Sequence, residues 1–175
     1  SGYIYYGYTA NAIEFLQNKL NTPDIIALYD YLNSKPATAY DVFLMSNNSV
    51  TKDAVTDMLG TTYLREFDFA KAIDWLKKQH KPSLLTCEQY NYKTYKTTLL
   101  NVNPFHDYLN DWQRNEKPLA KPMSKLAFAE KMLRLQQAID TASSNAVKSK
   151  LYYQLASGLY NMSYYGNSWM LMAYN

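Results

Sequence analysis

Gly60 and Ala72 constrain this chain more than any other two residues. Gly60 sits among Val55, Met58, Leu59 and Leu64, and Ala72 among Phe69, Ile73 and Leu76, two runs whose apolar positions recur at the three- and four-residue spacing of a helical face. A side chain of one hydrogen or one methyl lets two helix axes close to the lower end of the roughly 8–10 Å packing range. Tyr63, Phe69 and Leu76 then fill the space around the contact. Thr51 opens the first run, which extends to about Glu66, and the second runs from Asp68 to about Gln79 before Pro82 stops it. A tight antiparallel helix pair is expected.

The rest of the chain mostly repeats this pattern. Thr9 precedes the stripe Ile13, Leu16, Leu20, and Thr22-Pro23-Asp24 supplies a cap, a first-turn proline and a first-turn acid ahead of Ile25, Leu28, Tyr29 and Leu32. Tyr40, Phe43 and Leu44 suggest a third helix, ended by the polar run 46–49. Between Ser83 and Asn103 the period changes. Tyr90, Tyr92 and Thr94 alternate with polar residues as in extended chain, while Tyr95, Leu99 and Val102 also fit a poor helix, so residues 83–103 read as an irregular insertion. Asn103-Pro104 marks a boundary. Phe105, Tyr108, Leu109 and Trp112 then form a helical face to about Arg114, and Asn115 to Pro122 is the best linker candidate. Two long helices follow. The first starts at Ser124, with Leu126, Ala129, Leu133 and Ile139 on its apolar side and Lys125, Lys131 and Arg134 on a solvated one; the second covers Ala146 to Tyr164.

Composition supports one domain of this kind and excludes several others. The chain has 175 residues, a net charge of +3, 47% apolar residues, one cysteine, five glycines and 18 tyrosines. A chain of this length buries enough surface to need neither disulfides nor a structural metal. Disorder, collagen and a polybasic nucleic-acid binder each require a bias that is absent. No apolar run approaches the length of a membrane span. Ser1 in place of Met, and the apolar run Ser168 to Tyr174 without a closing cap, lead us to expect an excised part of a longer chain.

The motif Leu59-Gly60-x-x-Tyr63, with Ala72 on the following helix and Leu76 beyond it, resembles the tetratricopeptide repeat. Residues 53–86 carry the likeness best. It departs from the family at Thr56, where an aromatic is usual, and at Pro82, which comes two residues early. A weaker, truncated copy covers 149–175, with Tyr152, Leu155-Ala156 and Leu159 in the first-helix pattern and Tyr165, Ser168 and Met172 beginning a second helix. The resemblance implies an all-α fold, a right-handed superhelix of antiparallel helix pairs in a degenerate array. It also implies a concave groove lined by first-helix residues, which here fall on Asp57, Thr61, Leu64 and Arg65. The run from Gly158 to Ser168, with Asn103-Pro104-Phe105, resembles an uncharacterised bacterial family of helical-repeat envelope proteins. That likeness names no activity, and localisation stays open with a periplasmic or envelope setting favoured.

An enzyme needs convergent reactive groups, and the chain offers two histidines, one cysteine and scattered carboxylates. His80 follows Lys77 and Lys78 at a helix C-terminus, where a cation is favourable without chemistry. His106-Asp107 begins a helix after Pro104, but no second ligand is spaced for zinc. Cys87 has no adjacent histidine and reads as an ordinary thiol. The glycines are too dispersed for a phosphate loop. We therefore expect no catalytic residue, metal or cofactor.

The remaining signal is aromatic. Tyr3, Tyr5, Tyr6 and Tyr8 cluster at the start, and Tyr152, Tyr153, Tyr160, Tyr164, Tyr165 and Trp169 near the end. Neighbours on a helix differ by about 100°, so adjacent tyrosines cannot all point to one core. Tyr153, Tyr164, Tyr165 and Trp169 are the candidates for an exposed recognition surface, because a rigid ring buries area at little entropic cost. The expected function is a non-enzymatic helical scaffold that binds a protein or peptide. The alternative is carbohydrate binding through the same exposed rings; nucleic acid is not expected as a partner.

Overall fold

The computed structural model describes residues 16, 19–48, 50–91, 93, 95–107 and 119–173. Helices dominate them: α1 (Thr22–Asn33), α2 (Ala39–Ser46), α3 (Lys52–Arg65), α4 (Phe69–Leu76), α5 (Lys125–Thr141) and α6 (Asn145–Met162). Each begins with a capping side chain that accepts a backbone N–H of the first turn: Asn21, Thr38, Thr51, Asp68, Ser124 and Ser144. The cap of α1 is Asn21, one residue before the expected Thr22, and Pro23 lies inside the first turn. Tyr3, Tyr5, Tyr6, Tyr8 and the helix expected from Thr9 lie outside the described residues, apart from Leu16, which is helical and buried.

Consecutive helices stack: α3 on α4, α4 on α5 and α5 on α6, with α1 resting on α3. A Cβ built on Gly60 would lie 2.5 Å from Leu76 Cδ2, so the α3–α4 approach needs glycine there. The turn between these helices is tight enough that Phe67 adopts φ 59°, the left-handed conformation in which a Cβ is unfavourable. The main core joins Leu64, Phe69, Ala72, Ile73 and Leu76 to Phe128, Ala129, Met132 and Leu135 of α5 and to Leu171. A second cluster holds Ile25, Val55, Met58 and Leu59, flanked by an edge-to-face pair of Tyr29 and Trp75 with ring centroids 5.2 Å apart.

The sequence expectations need four corrections. Within 83–103 the described residues include a hairpin: β1 (Thr86–Asn91) and β2 (Lys96–Asn101) pair antiparallel in register Thr86↔Asn101 to Asn91↔Lys96, while Tyr92 and Thr94 lie outside the described residues. The extended alternation of this stretch prevails over its weak helical spacing because the strands satisfy each other's backbone groups. The hairpin base is tied to the start of α5, with Leu85 N–H donating to Met123 O at 2.7 Å and Lys125 N–H to Ser83 O at 2.9 Å. The buried stripe of α5 is Lys125, Phe128, Ala129, Met132, Leu135 and Ile139, while Leu126 and Leu133 are half-buried. Residues 165–172 do not start an α-helix; they form turns and a short 3-10 helix, Trp169–Leu171. Asn103–Asp107 is a turn rather than a helix start, and Tyr108, Leu109, Trp112 and the first part of the linker, 115–118, lie outside the described residues.

The two segments tied by resemblance, 103–105 and 158–168, meet directly. Asn161 is fully buried, and its Nδ2 donates to Pro104 O and His106 O, both at 2.9 Å. Asn167 Nδ2 donates to Asn103 O at 3.0 Å, and Ser168 N–H donates to Asn161 O at 2.8 Å. A Cβ on Gly166 would fall 2.2 Å from Asn161 Cα, so glycine is required where the chain folds back on α6. This polar knot positions residues 166–171 against the core, where Leu171 is buried.

Candidate functional site

Asp57, Thr61 and Arg65 share one stripe of α3, which is buried at Asp57 and Thr61 and reaches the surface at Arg65. Asp57, Thr61 and Leu64 are buried, and Lys125 at the start of α5 and residues 172–173 lie against this side of α3. Lys125 Nζ donates to Asp57 Oδ2 at 2.8 Å, to Thr61 Oγ1 at 2.8 Å and to Ala173 O at 2.7 Å, which uses all three ammonium protons. Asp57 Oδ1 accepts from Ser83 Oγ at 2.5 Å and Gln79 Nε2 at 3.2 Å. Arg65 is exposed, and its Nε donates to Met172 O at 2.8 Å, with a second bond from its guanidinium to the same oxygen. Of the four residues expected to line the groove, Asp57, Thr61 and Leu64 are buried and Arg65 alone lies at the surface. The Asp57–Lys125 pair, with side chains 3% and 1% exposed, offers no surface to a partner, and it holds α3 to α5 and to residue 173.

Lys125 is the residue that sequence reasoning misplaced. We expected it on the solvated side of α5; it stands one turn before Phe128 and Ala129, in phase with the buried stripe. That phase was readable. Burial pulls its ammonium below the ordinary lysine value, offset in part by Asp57 and reinforced by the nearby charge of Arg65. The buried pair is satisfied by hydrogen bonds on both sides, which is what makes it tolerable in the core.

Beside this pair, at the start of α3, lies a cleft of about 620 Å³ lined by Thr51, Lys52, Asp53, Gln79, His80 and Lys81, among others. Asp53 spans it: its carboxylate accepts the N–H groups of His80 at 3.0 Å and Lys81 at 3.1 Å, and Oδ1 lies 3.2 Å from His80 Nδ1. The His80 N–H comes first among the causes that hold the Asp53 carboxyl below its usual range, followed, after an opposing desolvation, by Lys81 and the His80 ring. His80 therefore pairs with a carboxylate of α3 as well as sitting past the end of α4.

The exposed apolar surface lies elsewhere. α2 has no buried residue, and Tyr40, Val42, Phe43 and Leu44 are exposed, Phe43 at 59%. Between α1 and α2 runs a groove of about 490 Å³ lined mainly by Leu28, Tyr31, Leu32, Phe43, Leu44 and Val50. Its shape is held by Asp41, whose carboxylate accepts from Tyr31 Oη at 3.0 Å and from Thr38 Oγ1 at 2.8 Å. The helix was expected from Tyr40, Phe43 and Leu44 and the groove was not, because in sequence a short apolar helix looks the same buried or bare.

The four aromatic candidates are all on the surface. Tyr164 and Tyr165 are 88% and 81% exposed, with their rings edge-to-face and centroids 5.4 Å apart. Trp169 and Tyr153 are exposed as well. His106 is half-buried, with its carbonyl bound by Asn161, and the side chain of Cys87 lies outside the described residues. Among the described residues no group of three or more His, Cys, Asp or Glu converges on a common point, and no helix is long and apolar enough to cross a membrane. Set against models of known protein families, curated proteins and solved structures, the chain matches none.

Proposed function

We propose that the chain is a non-enzymatic helical scaffold, a degenerate tetratricopeptide-like array, that binds a protein or peptide partner through the α1–α2 groove. One observation carries this reading. Among the described residues, α2 is an apolar helix with no buried side chain, and it borders an apolar groove. A contiguous apolar surface of that kind marks an interaction site, because exposing it to water is unfavourable unless a partner covers it. The stacked helices and the Gly60 contact support the repeat-like arrangement, and the likeness to bacterial envelope proteins is carried by the 103–105 and 158–168 segments. The test is a photo-crosslinking residue placed at Phe43 and, as control, at exposed Lys77, in cells that express the protein. A discrete adduct at 43 alone is expected; equal labelling at both positions, or none, removes the reading.

A second reading, carbohydrate binding, is favoured by a separate observation. Tyr164, Tyr165 and Trp169 present three exposed rings within six residues of chain. Stacking of pyranose rings on them would change the emission of Trp169. Titration with glycans over a broad array should then shift the tryptophan fluorescence of the wild type and leave that of Trp169→Phe unchanged. A flat wild-type response excludes it.

A further inference from the structure

The cleft between the start of α3 and the loop after α4 carries groups that a protein-binding scaffold does not use. Lys52 and Lys81 line it, and neither ammonium has an ion-pair or hydrogen-bond partner among the described residues. Two carboxylates line it as well, and both are engaged. Asp53 accepts the His80 and Lys81 N–H groups and faces the His80 ring, while Asp57 is paired with Lys125 behind the cleft wall. With Lys125 set against Asp57, the lining keeps two lysines against the single charge of Asp53. The cleft is therefore net positive at neutral pH.

Gln79 adds a second observation. Its Nε2 donates to Asp57 Oδ1 at 3.2 Å and to Ser83 Oγ at 3.3 Å. A carboxylate only accepts, and Ser83 already gives its own proton to Asp57 at 2.5 Å, so the amide cannot be turned round. The amide oxygen, Oε1, is enclosed and has no donor among the described residues. Buried acceptors are almost always satisfied, and this one stands in the lining of a cleft that is open to a donor from outside the chain.

We infer that this cleft binds a small organic anion, a carboxylate or a phosphate ester, that also carries a hydroxyl group. Lys52 and Lys81 take the anionic group, and the hydroxyl donates to Gln79 Oε1. A volume of about 620 Å³ is that of a small-molecule site. Exposed ion pairs are individually weak, so affinity is modest, on the order of millimolar. The cleft shares no lining residue with the α1–α2 groove, so the two sites stand or fall separately.

Amide chemical shifts of the whole ¹⁵N-labelled chain test this, at matched ionic strength and at about pH 8, where phosphate esters are dianions. Glycerol 3-phosphate and glycerate represent the two anion classes; methyl phosphate and acetate are the same anions without a hydroxyl, and glycerol has hydroxyls without charge. At least one of the hydroxylated anions should give saturating shifts at residues 52, 53, 80 and 81, and the one that does identifies the class. Its hydroxyl-free counterpart should bind several-fold more weakly, and glycerol should give no saturating shift. Lys52→Gln and Lys81→Gln, both at exposed positions, should each weaken binding about fivefold, whereas Lys150→Gln on α6 should leave it unchanged. The inference falls if no anion saturates, if either of the two cleft variants binds like the wild type, or if the hydroxyl-free anion binds as tightly as its counterpart.

Discussion

The α3–α4–α5 wedge and the marginal helices α2 and α6 are built from similar residues and end in opposite states. In the wedge, Gly60 and Ala72 let axes close, Phe69 and Phe128 meet with centroids 6.5 Å apart, and even a lysine and an aspartate are enclosed. At the margins, Tyr40, Val42, Phe43, Tyr153 and Tyr160 stay in contact with solvent. The difference lies in neighbours. An apolar stripe is buried only where another element of the chain arrives to cover it, and α2 has no buried residue among the described ones. Stability should therefore concentrate in the wedge and recognition at the margins.

Substitutions test that division, beginning where the largest effect is expected. Lys125→Met leaves the Asp57 carboxylate buried without its cation and should cost about 3–5 kcal/mol in urea unfolding. Adding Asp57→Asn to that variant should restore part of the loss; if the double variant is as unstable as the single one, the pair is not what holds α3 to α5. Gly60→Leu should cost about 3 kcal/mol, the upper end for overpacking, because even a Cβ meets Leu76. A wild-type midpoint for that variant would mean that α3 and α4 do not pack so closely. Phe67→Gly should raise stability by about 1 kcal/mol, since glycine adopts the left-handed backbone of the α3–α4 turn without strain and Phe67 is exposed.

A smaller effect concerns Asp53 and pH. Its carboxyl lies below the ordinary 3.8 in the folded chain. A depressed folded-state value contributes stability that is fully present above the unfolded value and is lost as pH falls through the folded one. Asp53→Asn should thus be less stable than the wild type at pH 7, and the gap should close on acidification below about pH 4. A gap that is constant with pH would show that the carboxylate charge is not what binds His80 and Lys81. The smallest effect is expected at the margins: Phe43→Asp should change unfolding stability by within about 0.5 kcal/mol, as for a surface position, while weakening partner binding at the α1–α2 groove.

Much of the helical layout was legible in the chain itself. The cap residues, Pro82 and the apolar spacing placed α3 and α4 to within a few residues, and the Gly60 contact was anticipated from side-chain size alone. The stripe of Asp57, Thr61 and Arg65 was also correctly grouped on one face of α3. What failed was the step from a shared face to an open groove. Periodicity says which residues point the same way, but the occupant of the space they point into comes from far along the chain: Lys125 is 68 residues from Asp57, and Met172 is 107 from Arg65. The same limit applies to the hairpin, whose strands gain their backbone partners only by pairing.

Local chemistry therefore decided where helices begin, how closely α3 and α4 approach and that tyrosines exceed what one core absorbs, because capping, side-chain volume and helical phase act between residues a few positions apart. Which polar residues became a buried pair and which apolar helix remained bare depended on long-range packing. Burial is a property of what lies opposite a side chain, and for Lys125 and for α2 that was set when distant segments folded together, or did not.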